Sequence, residues 1–304
     1  MKKPNLYVIG APKCGTTTLA YWMSQHPEVY VSPRKEPHYF FNPYRMGMSL
    51  WDYEALFEEV RPTQSVVAEA SIWYLYSEVA VVRILNYNPD AKFVVCLRNP
   101  MEMAPSLHMQ RYYSGYEMEP DFNLAWQLNS VREAGSLTKV YGIDPEMGDP
   151  SHMSYRKVCM LGRQVEQLLS RIDRDRVFFM FLDDMQSDPS ALWHDLQIFL
   201  GVTQYGNIDM SAQNPATTHR NATISRFLNK LGSMKRFVGV KRNTGIFRNI
   251  HRWNTSKVES YHISDLTFES MYKCFEADVR NLFSLTNRKE CWRPFGNNNA
   301  NTWR

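Results

Sequence analysis

The chain has 304 residues, 44% of them hydrophobic and 22% charged, which is ordinary for a globular protein, and we expect a single domain, 1–304. Its five cysteines are widely spaced, without a CxxC pair or metal-site spacing, which argues against a disulfide framework and a structural zinc. No segment approaches the ~18 apolar residues of a membrane span and the apolar run Leu6–Gly10 is too short for a signal peptide, so we expect a cytoplasmic protein.

The net charge of +4 is unevenly distributed along the chain. Between Met210 and Val258 there are ten lysines and arginines and no Asp or Glu, whereas the rest of the chain carries 25 basic and 31 acidic residues. A basic segment on an acidic body suggests a local anion site rather than a nucleic-acid surface, although a solvated face would give the same pattern. The segment includes Arg252 and Lys257, which are candidates to contact such an anion.

Short apolar runs alternate with helical stretches along the chain. The predicted strands are Leu6–Ile9, Val66–Ala68, Phe93–Leu97 and Val177–Leu182. The predicted helices cover 16–26, 77–86, a stretch from Pro100, a stretch ending near Leu200, and 266–285. This alternation indicates an α/β fold with a mainly parallel sheet and helices on both faces. Ligands of such folds bind at the carboxyl ends of the strands, where the loops after the first and third strands meet.

The loop Gly10–Thr18 joins the first strand to a helix. Backbone N–H groups at a helix N-terminus point at an anion, and the helix dipole favours negative charge there. Lys13 and the hydroxyls of Thr16, Thr17 and Thr18 add further donors. In the ATP-binding P-loop the lysine follows the second glycine directly, and here Thr16 has that position. The pattern predicts a phosphate-binding loop of another kind, with an ordinary strand-to-helix turn as the alternative.

Arg98 directly follows the predicted central strand, and Ser106 comes eight residues later. A guanidinium fork suits a phosphate, and Ser106, about two turns into a helix that begins at Pro100, can offer its hydroxyl to the same anion. An exposed arginine and a mid-helix serine are common when taken alone. Because this arginine and serine follow the phosphate-binding loop by about 80 residues, however, they support a second contact with the anionic ligand.

The segment Pro12–Leu19 resembles the 5′-phosphosulfate loop, PK(S/C)GTT(T/S)L, of the sulfotransferases that use 3′-phosphoadenosine 5′-phosphosulfate (PAPS). Arg98, Pro100 and Ser106 are similar to the 3′-phosphate motif of that family, and Pro33–Phe41 resembles the KEPHFF segment of its glycan members, including those acting on heparan-type chains. The resemblance implies that the chain binds PAPS, releases adenosine 3′,5′-bisphosphate and requires no metal. The implied donor contacts are Lys13, Cys14, Gly15, Thr16, Thr17, Thr18, Arg98, Ser106 and Tyr155.

The resemblance covers about residues 5–201, which we expect to form the donor-binding core. Residues 202–260 have no specific match and are expected to serve the acceptor side, and 261–304 to form a C-terminal helix and tail. Tyr155, at the start of a predicted helix running to Leu169, resembles an aromatic of the family near the donor or cleft, although ordinary helix packing would also explain it.

The resemblance also implies catalytic roles. Lys13 is expected to neutralise the bridging oxygen of the donor as the S–O bond breaks. Glu36 is the expected general base because glycan sulfotransferases use the glutamate at that place. His38 is a rival base, since an imidazole titrates near neutrality, and Glu69 is a third candidate. The stretch Glu69–Tyr74 lacks both the catalytic histidine of small-molecule sulfotransferases and the lysine-threonine-proline sequence of heparan-type enzymes.

The implied activity is transfer of a sulfuryl group from PAPS to a hydroxyl or amine of a saccharide or glycolipid, without a nucleic-acid partner or a transmembrane segment. One alternative is a nucleotide kinase or NTPase. It is disfavoured by Thr16 in the P-loop lysine position and by Arg98, rather than a Mg²⁺-binding aspartate, after Leu97. The other is a catalytically inactive nucleotide-binding regulator, against which the presence of both Lys13 and Glu36 argues.

Overall fold

A computed structural model describes most of the chain. The described residues are 3–41, 48–133, 154–212 and 262–296, together with two short strands at 217–219 and 255–257. Most of the basic segment, including Arg252, lies outside the described residues. Lys257 is described only as the last residue of a strand.

The helices and strands follow one another as the sequence patterns predict, with several additions. The strands are β1 (Leu6–Gly10), β2 (Val29–Val31), β3 (Val66–Ala70), β4 (Lys92–Leu97), β5 (Val177–Phe181), β6 (Thr217–His219) and β7 (Thr255–Lys257). The helices are α1 (Thr16–Ser24), α2 (Leu50–Ala55), α3 (Ala80–Tyr87), α4 (Pro100–Ser114), α5 (Phe122–Gln127), α6 (Asn129–Glu133), α7 (Tyr155–Cys159), α8 (Leu161–Leu169), α9 (Leu182–Ser187), α10 (Pro189–Leu200) and α11 (Asp265–Thr286).

Five strands form a parallel sheet in the order β2-β3-β1-β4-β5. Leu6 of β1 pairs with Ala68 on one side and with Lys92 on the other. Strands β1 and β4 are almost wholly buried, as expected for parallel strands covered on both faces, and this explains their continuous apolar runs. The predicted α/β fold, a parallel sheet flanked by helices, is confirmed. Because the strands are parallel, the residues that follow β1, β3 and β4 leave the same edge of the sheet.

Some local boundaries differ from the predictions. The chain leaves β5 for α9 at Leu182, which was expected to end the strand. The single helix expected from Tyr155 to Leu169 is divided into α7 and α8 at Met160. Helix α10 agrees with the sequence, because Asp188 accepts a hydrogen bond from the Ala191 N–H at its start and Gly201 ends it in the left-handed conformation.

The chain divides into two compact units. The first comprises Met1–Met103, Met160–Gln213 and Cys274–Arg304 and contains the five-stranded sheet. The second comprises Ala104–Cys159 and Asn214–Lys273 and contains the antiparallel pair of β6 and β7. Within the part of the chain that the structure describes, no helix combines the length and apolar character needed to cross a membrane. The predicted division into donor-binding core, acceptor-side segment and C-terminal part stays a prediction.

Candidate active site

The loop after β1 presents the N-terminus of α1 without a side-chain cap. Gly15 is the N-cap residue, with φ +86°, and no acidic residue lies in the first turn of the helix. A Cβ atom at Gly15 would lie 3.0 Å from Leu182 Cδ1 and 3.2 Å from Met185 Sδ, so both the backbone conformation and the space favour glycine. An uncapped helix N-terminus has backbone N–H groups available for an anion.

Positive charges converge on this loop. Arg98 Nη1 donates a hydrogen bond to the Lys13 carbonyl oxygen at 3.3 Å. Burial lowers the pKa of the half-buried Lys13 ammonium group, and the nearby positive charges of Arg98 and Lys35 lower it further. An anion bound at this loop would compensate for the mutual repulsion of these three cations.

The Arg98 guanidinium also has an acidic partner on α4. Its Nε and Nη2 atoms donate to Glu102 Oε2 at 3.2 and 3.1 Å. This ion pair and the bond to the Lys13 carbonyl fix the direction of the guanidinium group at the end of β4. Ser106, the other residue of the predicted 3′-phosphate motif, is half-buried on α4 and belongs to the second unit.

The segment after β2 brings the predicted bases close to the loop. Lys35 Nζ donates to Thr17 Oγ1 at 2.7 Å and lies 3.5 Å from Glu36 Oε1. The other carboxylate oxygen of Glu36, Oε2, is 3.4 Å from His38 Nε2. The predicted bases Glu36 and His38 are therefore neighbours, and Lys35 connects them with the hydroxyl-rich start of α1.

The Glu36 carboxylate is partly buried but is ionised readily. Burial raises its pKa, but the hydrogen bond from His38 and the positive charge of Lys35 outweigh burial and hold the pKa below the ordinary value of 4.5. From the sequence, Pro37 and the aromatic run Tyr39–Phe41 could supply a partly apolar environment for this carboxylate. Contacts with charged and polar neighbours instead dominate at this carboxylate.

Glu69, the third predicted base, is completely buried on β3. Its carboxylate accepts hydrogen bonds from Tyr53 at 3.0 Å, Ser71 at 2.5 Å and Tyr74 at 3.2 Å. Burial raises the pKa of Glu69 to about 7, and these three hydroxyls oppose that shift. The carboxylate is thus surrounded by hydroxyl groups and is not exposed to solvent.

Two predicted donor contacts have buried side chains. Cys14 Sγ lies 3.4 Å from the Pro12 carbonyl oxygen, and burial raises the pKa of its thiol to about 12. In the second unit, the buried Tyr155 hydroxyl donates to Glu117 Oε2 at 2.6 Å, and the same oxygen lies 2.7 Å from Arg132 Nη2. Cys14 can therefore bind a ligand through its backbone N–H. The Tyr155 hydroxyl already has a hydrogen-bond partner within its own unit.

Sequence reasoning missed the residues that connect the predicted ones. Lys35 is not among the predicted site residues, and its contact with Thr17 was not predicted. The hydroxyls around Glu69 were also missed, although Ser71 and Tyr74 lie in the stretch examined for a catalytic histidine. A buried carboxylate needs hydrogen-bond donors, so a glutamate within the apolar strand VVAEA was a signal to search for hydroxyls nearby.

Comparison with known proteins finds similarity to sulfotransferases. A family model described as the sulfotransferase domain matches residues 3–223. Membrane-associated sulfotransferase kil1 of Dictyostelium discoideum is 33% identical over 105 residues, which are 34% of this chain and 22% of that protein. Heparan sulfate glucosamine 3-O-sulfotransferase 6 of Mus musculus is 32% identical over 107 residues, 35% of this chain and 30% of that protein. The matches thus span less than a third of the length of these two relatives.

Solved structures agree at the level of the fold. A crystal structure of a sulfotransferase from Alicyclobacillus acidocaldarius has a TM-score of 0.66 at 24% identity and covers 95% of this chain and 98% of that one. Mouse sulfotransferase SULT7A1, complexed with PAP, has a TM-score of 0.52 at 14% identity, with 94% and 88% of the two chains covered. Since the family model matches well over half of its residues, the chain belongs to the sulfotransferase domain family.

Proposed function

We propose that the chain transfers a sulfuryl group from PAPS to a hydroxyl or amine of a saccharide or glycolipid. The contact of Lys35 with both Thr17 and Glu36 carries this proposal, because it brings an anion-binding loop and a base together. Membership of the sulfotransferase domain family supports the class of reaction. A saccharide acceptor is supported by the partial similarity to heparan sulfate glucosamine 3-O-sulfotransferase 6.

The residues of the loop fit the anionic part of such a donor. When bound, PAPS supplies an activated sulfuryl group joined through an oxygen to a phosphate. Lys13, Lys35 and Arg98 provide positive charge beside an uncapped helix N-terminus. Thr16, Thr17 and Thr18 provide hydroxyls, and Cys14 and Gly15 provide backbone N–H groups. A set of cations and hydrogen-bond donors is what a phosphosulfate requires.

Lys13 has the central electrostatic role in this proposal. It stabilises negative charge on the leaving oxygen, an interaction that is stronger in the transition state than in the ground state. Because burial and the charges of Arg98 and Lys35 lower the pKa of Lys13, an anionic ligand beside it would favour its charged form. Arg98, fixed by Glu102, binds the 3′-phosphate in this account. From the sequence motif, donor contacts of Ser106 and Tyr155 stay predictions.

Glu36 is the proposed general base, which accepts the proton of the acceptor hydroxyl or amine. Its pKa, held below the ordinary value, keeps the carboxylate ionised at neutral pH. Because the proton affinity of such a carboxylate is modest, base catalysis depends on its position next to the acceptor. His38, with Nε2 at 3.4 Å from Glu36, orients the carboxylate in this account and remains the alternative base.

Binding of nucleotides tests the proposal. Titration calorimetry should show that adenosine 3′,5′-bisphosphate binds far better than ADP or ATP, and does so without Mg²⁺. Arg98→Ala should weaken bisphosphate binding about ten- to a hundredfold, because a charged hydrogen bond contributes roughly 1.5–3 kcal/mol. Arg280→Ala is the matched control, since Arg280 forms a similar i,i+4 ion pair with Glu276 on α11. Preference for Mg²⁺-bound ATP would contradict the proposal.

A further inference from the structure

Glu69 is too deeply buried to accept a proton from an acceptor directly. Glu69 is 0% exposed, and its two carboxylate oxygens accept hydrogen bonds from the hydroxyls of Ser71, Tyr53 and Tyr74. A general base must approach the proton that it removes to within hydrogen-bonding distance, about 2.6–3.2 Å between heavy atoms. Any influence of Glu69 on the reaction must therefore pass through the hydroxyls bound to it.

Two of these hydroxyls also bind the backbone of the segment 36–41. The His38 N–H donates to Ser71 Oγ at 3.0 Å, and the Phe40 N–H donates to the Tyr74 hydroxyl at 3.1 Å. Each hydroxyl thus accepts from an amide of the segment and donates its own proton to Glu69. Chains of this kind polarise each bond in the direction of the carboxylate, so Glu69 strengthens both contacts with the amides.

The segment needs such contacts because its backbone is strained. Glu36 and His38 have φ values of +55° and +52°, in the left-handed region that residues other than glycine avoid. A backbone of this kind persists only where surrounding interactions determine it. The Glu36 N–H donates to the Ala70 carbonyl at 3.1 Å. The amides of three alternate residues, Glu36, His38 and Phe40, are therefore all hydrogen-bonded to residues 70–74 at and after the end of β3.

We infer that Glu69 is a positioning residue, which acts through Ser71 and Tyr74 to hold the backbone of residues 36–40 and thereby to place the Glu36 carboxylate and the His38 imidazole. The inference deepens the proposed function and rests on it, since it assumes that this segment supplies the base. It also removes Glu69 from the candidates for the base itself. The raised pKa of Glu69 is consistent with a carboxylate held among hydroxyls rather than beside a cation.

Two tyrosines provide a matched pair of variants. Tyr53→Phe and Tyr74→Phe each delete one phenolic hydroxyl that donates to Glu69 Oε2, but Tyr74 alone of the two accepts an amide of the segment. Amide hydrogen exchange, measured by mass spectrometry on peptides covering 36–41, should become roughly two- to tenfold faster in Tyr74→Phe and in Ser71→Ala. In Tyr53→Phe it should stay at the wild-type rate. Equal exchange in all three variants would overturn the inference.

Turnover with PAPS provides the second readout. In Ser71→Ala, Tyr74→Phe and Glu69→Gln, kcat should fall about ten- to a hundredfold while the KM for PAPS stays near wild type, because the base is displaced and the donor loop is not. Faster exchange with unchanged kcat would overturn the catalytic part of the inference and leave the sulfotransferase proposal intact. If the wild-type chain transfers no sulfate, the proposed function fails, and exchange alone still decides whether these hydroxyls hold the segment.

Discussion

Two opposing influences act on the pKa of the Glu36 carboxylate. Burial favours its neutral form, whereas the hydrogen bond from His38 and the charge of Lys35 favour the carboxylate, and the second influence is stronger. A base with this pKa is ready over the whole neutral range, but removes a proton efficiently only if the acceptor is held against it. The positioning of the segment 36–40 is therefore as important as the ionisation of Glu36.

The pH dependence of the reaction tests this assignment. Because the pKa of Glu36 lies below 4.5, the acid limb of kcat/KM should also lie below about pH 4.5. Glu36→Gln should lower turnover on the order of 10²- to 10⁴-fold and abolish that limb, while bisphosphate affinity stays near wild type. An acid limb that is retained in Glu36→Gln and lost in His38→Ala would instead assign the role of base to His38.

The buried Glu69 should make stability depend on pH. Its pKa of about 7 in the folded chain exceeds the ordinary value of 4.5, so between these values the folded state binds more protons than the unfolded state. The free energy of unfolding contributed by this group therefore falls as pH rises from about 4.5 to 7. Glu69→Gln cannot titrate, so its free energy of unfolding relative to wild type should rise by about 3 kcal/mol between pH 4.5 and 8. Denaturant unfolding at both values of pH measures this, and a constant difference would contradict it.

At the scale of elements, the turn from β1 into α1 depends on one glycine. Gly15 takes a left-handed conformation as the N-cap of α1, and the side chains of Leu182 and Met185 approach it closely. The helix begins at this point because the chain can turn without a Cβ atom. The backbone N–H groups of the first turn are consequently left for a ligand.

Two glycine substitutions separate backbone strain from crowding. Gly201 also has a left-handed φ, +72°, but a Cβ atom there would meet nothing within 4 Å. Gly201→Ala should therefore cost about 1–2 kcal/mol through φ alone, and Gly15→Ala about 1–3 kcal/mol more because its Cβ also crowds two side chains. Denaturant unfolding measures both, and calorimetry should show weaker bisphosphate binding in Gly15→Ala only. Equal losses of stability, with bisphosphate binding unchanged in both, would contradict this account of the loop.

For the molecule as a whole, the features that the sequence predicted correctly are those that depend on long apolar runs. Strands β1 and β4, and the loop and arginine that follow them, lie where the patterns placed them. Strand β2 and helix α2 were missed because three and six residues are too short for a periodic signal. The contact between Lys35 and Thr17 joins residues 18 positions apart, and the backbone at Glu36 is left-handed; no local sequence pattern predicts either feature.

The most direct test of the central claim is transfer of labelled sulfate from PAPS to a panel of saccharides and glycolipids, with identification of the product. We expect wild type to label a hydroxyl or amine of at least one acceptor. Lys13→Ala should lower the rate by about a hundredfold or more, because charge on the leaving oxygen is no longer neutralised. Lys289→Ala, which removes an exposed lysine from the same unit, should retain wild-type turnover. Absence of label in every acceptor, or equal transfer by wild type and Lys13→Ala, would contradict the proposed function.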